Sequence, residues 1–193
     1  MNKLVKGSIA GAVGIALLLG GAGTFALWNG TANVAAGSVA SGTLTIASNN
    51  ATAVWRDISP DKTASTIDIS TFKIVPGDTI ELTQSIKVTA TGNNLRAVLT
   101  YDPASITTST AADLALKNKL VYDLSTASGA ANIVRDGTTN NYLVTPAAGE
   151  STVTVKLTIT LPTTTGNTPE AGNLAQAGTV NLSALSFKLN QTR

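Results

Sequence analysis

Residues 151–161 read Ser-Thr-Val-Thr-Val-Lys-Leu-Thr-Ile-Thr-Leu. Val153, Val155, Leu157, Ile159 and Leu161 alternate with Thr154, Lys156, Thr158 and Thr160, a spacing that sorts the two sets onto opposite faces of a β-strand but smears both around a helix. One face is therefore buried and the other wet. Upstream, residues 79–89 repeat the pattern with Ile80, Leu82, Ile86 and Val88 inward and Gln84 as an interruption. After Gly92-Asn93-Asn94, the run Leu95, Ala97, Leu99 and Tyr101 continues it.

Downstream, Val180 and Leu182 share one phase and Leu185, Phe187 and Leu189 the opposite one. A strand that keeps its buried face across that slip needs a bulge near Ala184. Shorter strands are expected over 39–47, 66–74 and 119–124, and residues 132–134 and 142–145 flank Asp136-Gly137 as a hairpin. Thr110 followed by Asp113 has helix-capping chemistry and Ala112, Leu116 and Leu120 share a face, so a turn or two of helix is expected from Ala111 to Asn118. Residues 162–178, rich in Thr, Gly, Asn and Pro, read as a long loop. The sum is an all-β chain: an antiparallel β-sandwich, jelly-roll-like, with about eight to ten strands and at most one or two short helices.

Composition agrees with strands. Threonine supplies 30 of 193 residues, and its branched Cβ is stiff at χ1 and packs well on a pleated surface. Neither cysteine nor histidine occurs. That removes a thiol nucleophile, a Ser-His-Asp triad, a structural zinc site, and a haem or iron–sulfur site held by those ligands. Any enzyme would have to run on carboxylates, hydroxyls or lysine; no catalytic, cofactor-binding or metal-ligating residue is assigned, and no cofactor is expected.

Residues 1–26 have the three parts of a secretory signal peptide: Lys3 and Lys6, an apolar run from Ile9 to Leu19, and Gly20-Gly21-Ala22-Gly23-Thr24-Phe25-Ala26. The apolar run falls short of the ~20 residues a membrane span needs. Thr24 and Ala26 suit the small-residue pockets of a signal peptidase, which sets cleavage between Ala26 and Leu27. The alternative, a retained anchor helix, is opposed by Gly20, Gly21 and Gly23, which weaken a helix where it would leave the bilayer. Of the 13 basic residues Lys3 and Lys6 leave with the leader, so 11 remain against 11 acidic ones. A neutral mature chain has no basic stripe for nucleic acid or anionic lipid, and little charge repulsion holds copies apart. Membrane contact is expected through the leader alone. Secretion without cysteine leaves stability to a core or to assembly.

Other motifs carry less. Leu161-Pro162-Thr163-Thr164-Thr165-Gly166 has its glycine one residue late for a sortase signal and no hydrophobic tail behind it. Asp57, Asp61, Asp68, Asp78 and Asp102 are scattered, without the dense oxygen spacing of a calcium loop. Asp136-Gly137 is explained by hairpin chemistry. Glu81, Glu150 and Glu170 fall on a strand's outer face, a turn and a loop. Asn29, Asn50 and Asn190 each begin a glycosylation-type triplet, as chance allows in so Thr- and Asn-rich a chain. The mature aromatics (Trp28, Trp55, Phe72, Tyr101, Tyr122, Tyr142 and Phe187) are dispersed, and Trp28 is notable for lying beside the new N-terminus.

Gly23-Thr24-Phe25-Ala26-Leu27-Trp28-Asn29 followed by Ala40-Ser41-Gly42-Thr43-Leu44-Thr45-Ile46 resembles the start of the TasA/camelysin family. Val75-Pro76-Gly77-Asp78-Thr79 and the closing Leu185-Ser186-Phe187-Lys188-Leu189 with Gln191 are similar to later parts of it. Between Tyr101 and Thr179 the chain is shorter than the family's namesake, so loop-borne features are not carried over. The resemblance implies a secreted jelly-roll subunit of Gram-positive biofilm-matrix fibres, whose leader is cut by a dedicated SipW-type peptidase. It implies head-to-tail polymerisation by donor-strand complementation, in which the mature N-terminal segment of one copy completes the sheet of the next. Here the donor would be residues 27–37, with Leu27, Trp28, Val34 and Ala36 as plugs, ahead of a single domain over 38–193. Partners are then other copies, the signal peptidase during export, and room for an accessory anchor subunit. The same resemblance brings two alternatives: a monomeric or minor cell-surface adhesin, and a camelysin-type metallopeptidase, which the absence of an HExxH helix opposes.

Overall fold

The computed structural model describes residues 2–21, 37–165 and 175–192, apart from the side chains of 16–21 and of Ser128. The chain divides into two compact units, Met1–Val39 and Ala40–Arg193. In the first, helix α1 (Lys3–Gly21) takes in the whole apolar run. Among the described residues no helix is long and apolar enough to cross a membrane.

The second unit is mostly β. Its elements are β1 (Leu44–Asp57), β2 (Ser65–Thr66), β3 (Thr79–Ala90), β4 (Ala97–Tyr101), α2 (Ala111–Lys119), β5 (Val121–Ser128), β6 (Ile133–Arg135), β7 (Tyr142–Val144), β8 (Glu150–Thr160) and β9 (Phe187–Gln191). They form two antiparallel sheets, one in the order β2-β1-β3-β8-β5 and the other β6-β7-β4-β9.

The opening stretch is the centre of the larger sheet. β8 pairs with β3 from Thr79↔Thr160 to Thr89↔Glu150 and with β5 on its other side. Val153, Val155 and Leu157 are 0% exposed, and Ile80, Leu82, Ile86 and Val88 of β3 share their face. Ala97 and Leu99 of β4, Ile133 of β6 and Tyr142 and Val144 of β7 join the same buried cluster, so both sheets contribute to one core. Each such aliphatic side chain stabilises the fold by about 1.5–3 kcal/mol relative to exposure. On the opposite face Lys156 and Glu81 pair across β8 and β3 at 3.0 Å.

Three expectations change in detail. Gln84 is no break in the pattern: it is 7% exposed, in phase with the core, and its Nε2 donates to Asn50 Oδ1 at 2.9 Å. The strand expected over 66–74 stops at Thr66, because the Asp68 carboxylate accepts from the Ser70 amide and hydroxyl at 2.9 and 2.7 Å and turns the chain on itself. The bulge expected near Ala184 is instead a break. Asn181 makes an isolated bridge to Thr107, its Oδ1 accepts from Ser183 N at 2.8 Å, and a turn closed by Leu185 N to Leu182 O resets the phase before β9 begins. The helix forms where the capping chemistry placed it, with Thr110 Oγ1 accepting from Asp113 N and Asp113 accepting from Thr110 N.

Candidate functional site

The cleavage residues Thr24, Ala26 and Leu27 and the donor contacts Trp28, Val34 and Ala36 lie outside the described residues. What the structure describes is the body on which such a segment would act, and above all its sheet edges.

One flank is closed by side chains. β5 is an edge strand, yet the Asn140 carboxamide treats its backbone as a neighbouring strand would: Oδ1 accepts from Leu124 N at 2.9 Å and Nδ2 donates to Tyr122 O at 2.8 Å. Asn140 precedes β7, so this clasp ties one sheet to the other. Tyr142 Oη donates to Leu124 O at 3.3 Å, and Arg135 pairs with Asp123 at 2.7 Å. Tyr101 of β4 stacks on Tyr122 of β5 with centroids 5.8 Å apart. The Tyr122 hydroxyl is buried without a hydrogen-bond partner. Burial, with Tyr101 beside it, pushes that phenol up to about 12.

The other flank lies between β1 and β9. Among the described residues β9 has a partner strand, β4, on one side only, and β2 pairs with β1 only at Arg56 and Asp57. No ladder joins β1 to β9 there. The apolar side chains that line this seam pack on the core without being fully covered: Leu44, Ile46 and Trp55 from β1, Leu182 and Leu185, and Phe187 and Leu189 from β9. Midway, β1 leaves its ladder. Asn49 faces Ser85 and Val54 faces Thr83, so residues 50–53 bulge opposite Gln84 alone. Thr52 holds the bulge, accepting from Ser85 N at 3.0 Å while donating to Asn49 O at 2.7 Å.

A hollow sits at each end of the seam. Gly42, Leu44, Leu95 and Gln191 line the smaller, of about 660 Å³. Here the chain enters β1, and Gly42 approaches Thr91 so closely that a Cβ would fall 2.1 Å from its carbonyl oxygen. The larger, of about 1270 Å³, is mainly apolar, with Trp55, Phe72, Leu116, Leu161 and Leu182 on its walls. A strap over residues 175–183 borders it and is tied to α2. Asp113 Oδ1 accepts from Thr179 N at 2.6 Å, while Gly178 lies where a Cβ would be 2.6 Å from Ala112 O. The Thr179 amide first, then those of Ser109 and Thr110, hold the Asp113 carboxyl below the usual range.

Two further clusters were not evident from spacing. Asp57, Ser59 and Asp78 meet in a buried group in which Ser59 Oγ donates to Asp57 Oδ1 at 2.5 Å and Val75 N donates to Asp78 Oδ2 at 2.9 Å. The Ser59 hydroxyl and amide hold the Asp57 carboxyl low. The bonds are internal and fasten the loops at the wide end of the seam. Trp55 and Phe72, far apart in sequence, share the larger hollow. Among the described residues no group of three or more acidic side chains comes together. No family model, curated protein or solved structure matches the chain.

Proposed function

We propose that the chain is a structural subunit of extracellular biofilm-matrix fibres, secreted from a Gram-positive cell and polymerised head-to-tail by donor-strand complementation. It is not an enzyme in this reading. The two sheets around one core are a jelly-roll-like sandwich, and residues 27–37 of the mature chain are the donor. The observation that carries the reading is the seam between β1 and β9. Two strand edges without a shared ladder flank half-covered apolar side chains, and an added strand satisfies both the backbone groups and the apolar surface.

The magnitudes suffice for a durable joint. About eight backbone hydrogen bonds at roughly 1 kcal/mol each offset the ordering of a short segment only in part, and the apolar burial of plugs such as Leu27 and Trp28 supplies the rest. A segment of small residues that orders on binding suits a subunit exported before it assembles. A contact that uses unlike surfaces on successive copies gives an open filament. Export uses the 1–26 leader and its peptidase, and the partners in the fibre are other copies.

The test is to delete residues 27–37 from the mature chain and examine it by electron microscopy. Loss of fibres with an intact fold by circular dichroism is expected; fibres as abundant as those of the unaltered chain would sink the proposal.

A further inference from the structure

The larger hollow lies where two apolar clusters of the second unit fail to merge. Trp55, Phe72 and Leu182 pack on the edge of the main core, while Leu116 and Leu161 belong to a second buried cluster. Ile74 packs against both. All six line the hollow, so apolar walls face each other across a space of about 1270 Å³. That is larger than the roughly 300–1,000 Å³ of an ordinary small-ligand pocket, and it suits a long apolar occupant.

One wall is fixed by the protein's own bonds. Thr107 N donates to Asn181 O at 3.2 Å and Asn181 N to Thr107 O at 3.0 Å, and Asp113 accepts from Thr179 N at 2.6 Å. Gly178 lies so close to Ala112 O that the strap sits hard against α2. The site is therefore preformed and does not depend on a ligand to mould it.

Charge narrows the ligand's chemistry. Asp113 and Lys73 are the two charged residues on the described walls. Asp113 is already committed, since the amides of Ser109, Thr110 and Thr179 donate to its carboxylate. Lys73 is exposed and makes no ion pair with any described residue. Its neighbours Ser70 and Thr71 spend their hydroxyls on Asp68. A sugar would bury hydroxyls that each need a partner, which walls of Trp55, Phe72 and Leu116 do not offer. A peptide strand would need a ladder, and α2 and the strap present no strand edge. A hydrocarbon chain needs neither, and a single anionic head left at the exposed rim can pair with Lys73 without being desolvated.

We infer that the larger hollow binds a long-chain fatty acid, its hydrocarbon chain between the Trp55–Phe72 wall and the Leu116–Leu161 wall and its carboxylate at Lys73. The site stands apart from the fibre reading and would hold in a chain that never assembles.

The chain has two tryptophans, so Trp28→Phe leaves Trp55 as the sole reporter, in the wall of the site. The full chain with that change is titrated, below micelle-forming concentrations, with tetradecanoate and with a brominated fatty acid of the same length. Saturable quenching of Trp55 by the brominated acid, reversed by the plain one, is expected. Affinity should rise about tenfold for every two carbons added to the acid. Lys73→Gln in the same background should weaken the acid about fivefold and leave tetradecanol, its uncharged analogue, unaffected. Absence of quenching, affinity indifferent to chain length, or an equal effect of Lys73→Gln on acid and alcohol would overturn the inference. Loss of quenching as protein concentration rises at a constant excess of acid would also overturn it, by assigning the hollow to a second copy.

Discussion

The two flanks along which the sheets meet solve the same problem in opposite ways. At β5 the edge is answered from within: Asn140 takes up Leu124 N and Tyr122 O, and Tyr142, Arg135 and the Tyr101–Tyr122 stack add further links between sheets. At β1 and β9 no described strand or side-chain clasp of that kind spans the gap, and Leu44, Ile46, Phe187 and Leu189 stay half-buried. A carboxamide can mimic one residue of a neighbouring strand, which is enough for a short edge beside a buried Leu124. It cannot cover a row of apolar side chains, and that takes a strand.

The comparison makes its largest claim about the core. Leu124 on the closed flank is 0% exposed, and Leu124→Ala should cost about 2–5 kcal/mol in urea unfolding. Leu189→Ala, the same change on the half-covered flank, should cost the unassembled chain about 1 kcal/mol. Equal losses would erase the distinction between the flanks. Next in size is the clasp: Asn140→Ala strands the Leu124 amide and should cost about 1–3 kcal/mol, whereas Asn190→Ala, exposed on β9, should stay within about 0.5 kcal/mol.

Acid should loosen the seam's wide end selectively. Because the Thr179 amide holds the Asp113 carboxyl below the ordinary carboxylate range, its contribution is complete above that range and is lost as pH falls through the lower folded value. Protection of the Thr179 amide relative to its intrinsic exchange rate, followed by nuclear magnetic resonance, should therefore fall below about pH 4, while the Leu124 amide, clasped by the non-titrating Asn140, keeps its protection. Asp113→Asn should abolish the pH dependence; its persistence would assign the effect elsewhere. The smallest change tests whether the closed flank is perfectly satisfied. Tyr122→Phe removes a buried hydroxyl that has no partner, so stability should hold or rise by up to about 1 kcal/mol, and a loss beyond that would mean the hydroxyl does bond.

Much of this was legible in the alternation of residues 79–89 and 151–161, because a strand buried on one face writes its period into the chain. Thr110 and Asp113 announced α2 for the same local reason. Gln84 misled as an interruption because its partner, Asn50, comes from a bulge that has no signature of its own. Residues 66–74 begin with a strand's apolar spacing in Ile67 and Ile69, but the phase slips before Phe72 and Ile74, where Asp68 bonding to Ser70 turns the chain. The seam could not be read at all: β1 and β9 are distant in sequence, and an edge is defined by what fails to pair with it. Asn140 gave no signal either, since a clasp and an ordinary turn asparagine look alike until β5 is in place. Leu27, Trp28, Val34 and Ala36 rest on the family resemblance and on their place ahead of β1.

The most direct measurement is amide hydrogen exchange, followed by mass spectrometry, on the secreted chain before and after assembly. Peptides spanning 187–191 should gain protection on passing into the fibre, while those spanning 121–128 change little. Unchanged exchange at 187–191 in assembled material, or new protection at 121–128 instead, would contradict the assignment of the β1/β9 seam as the assembly site.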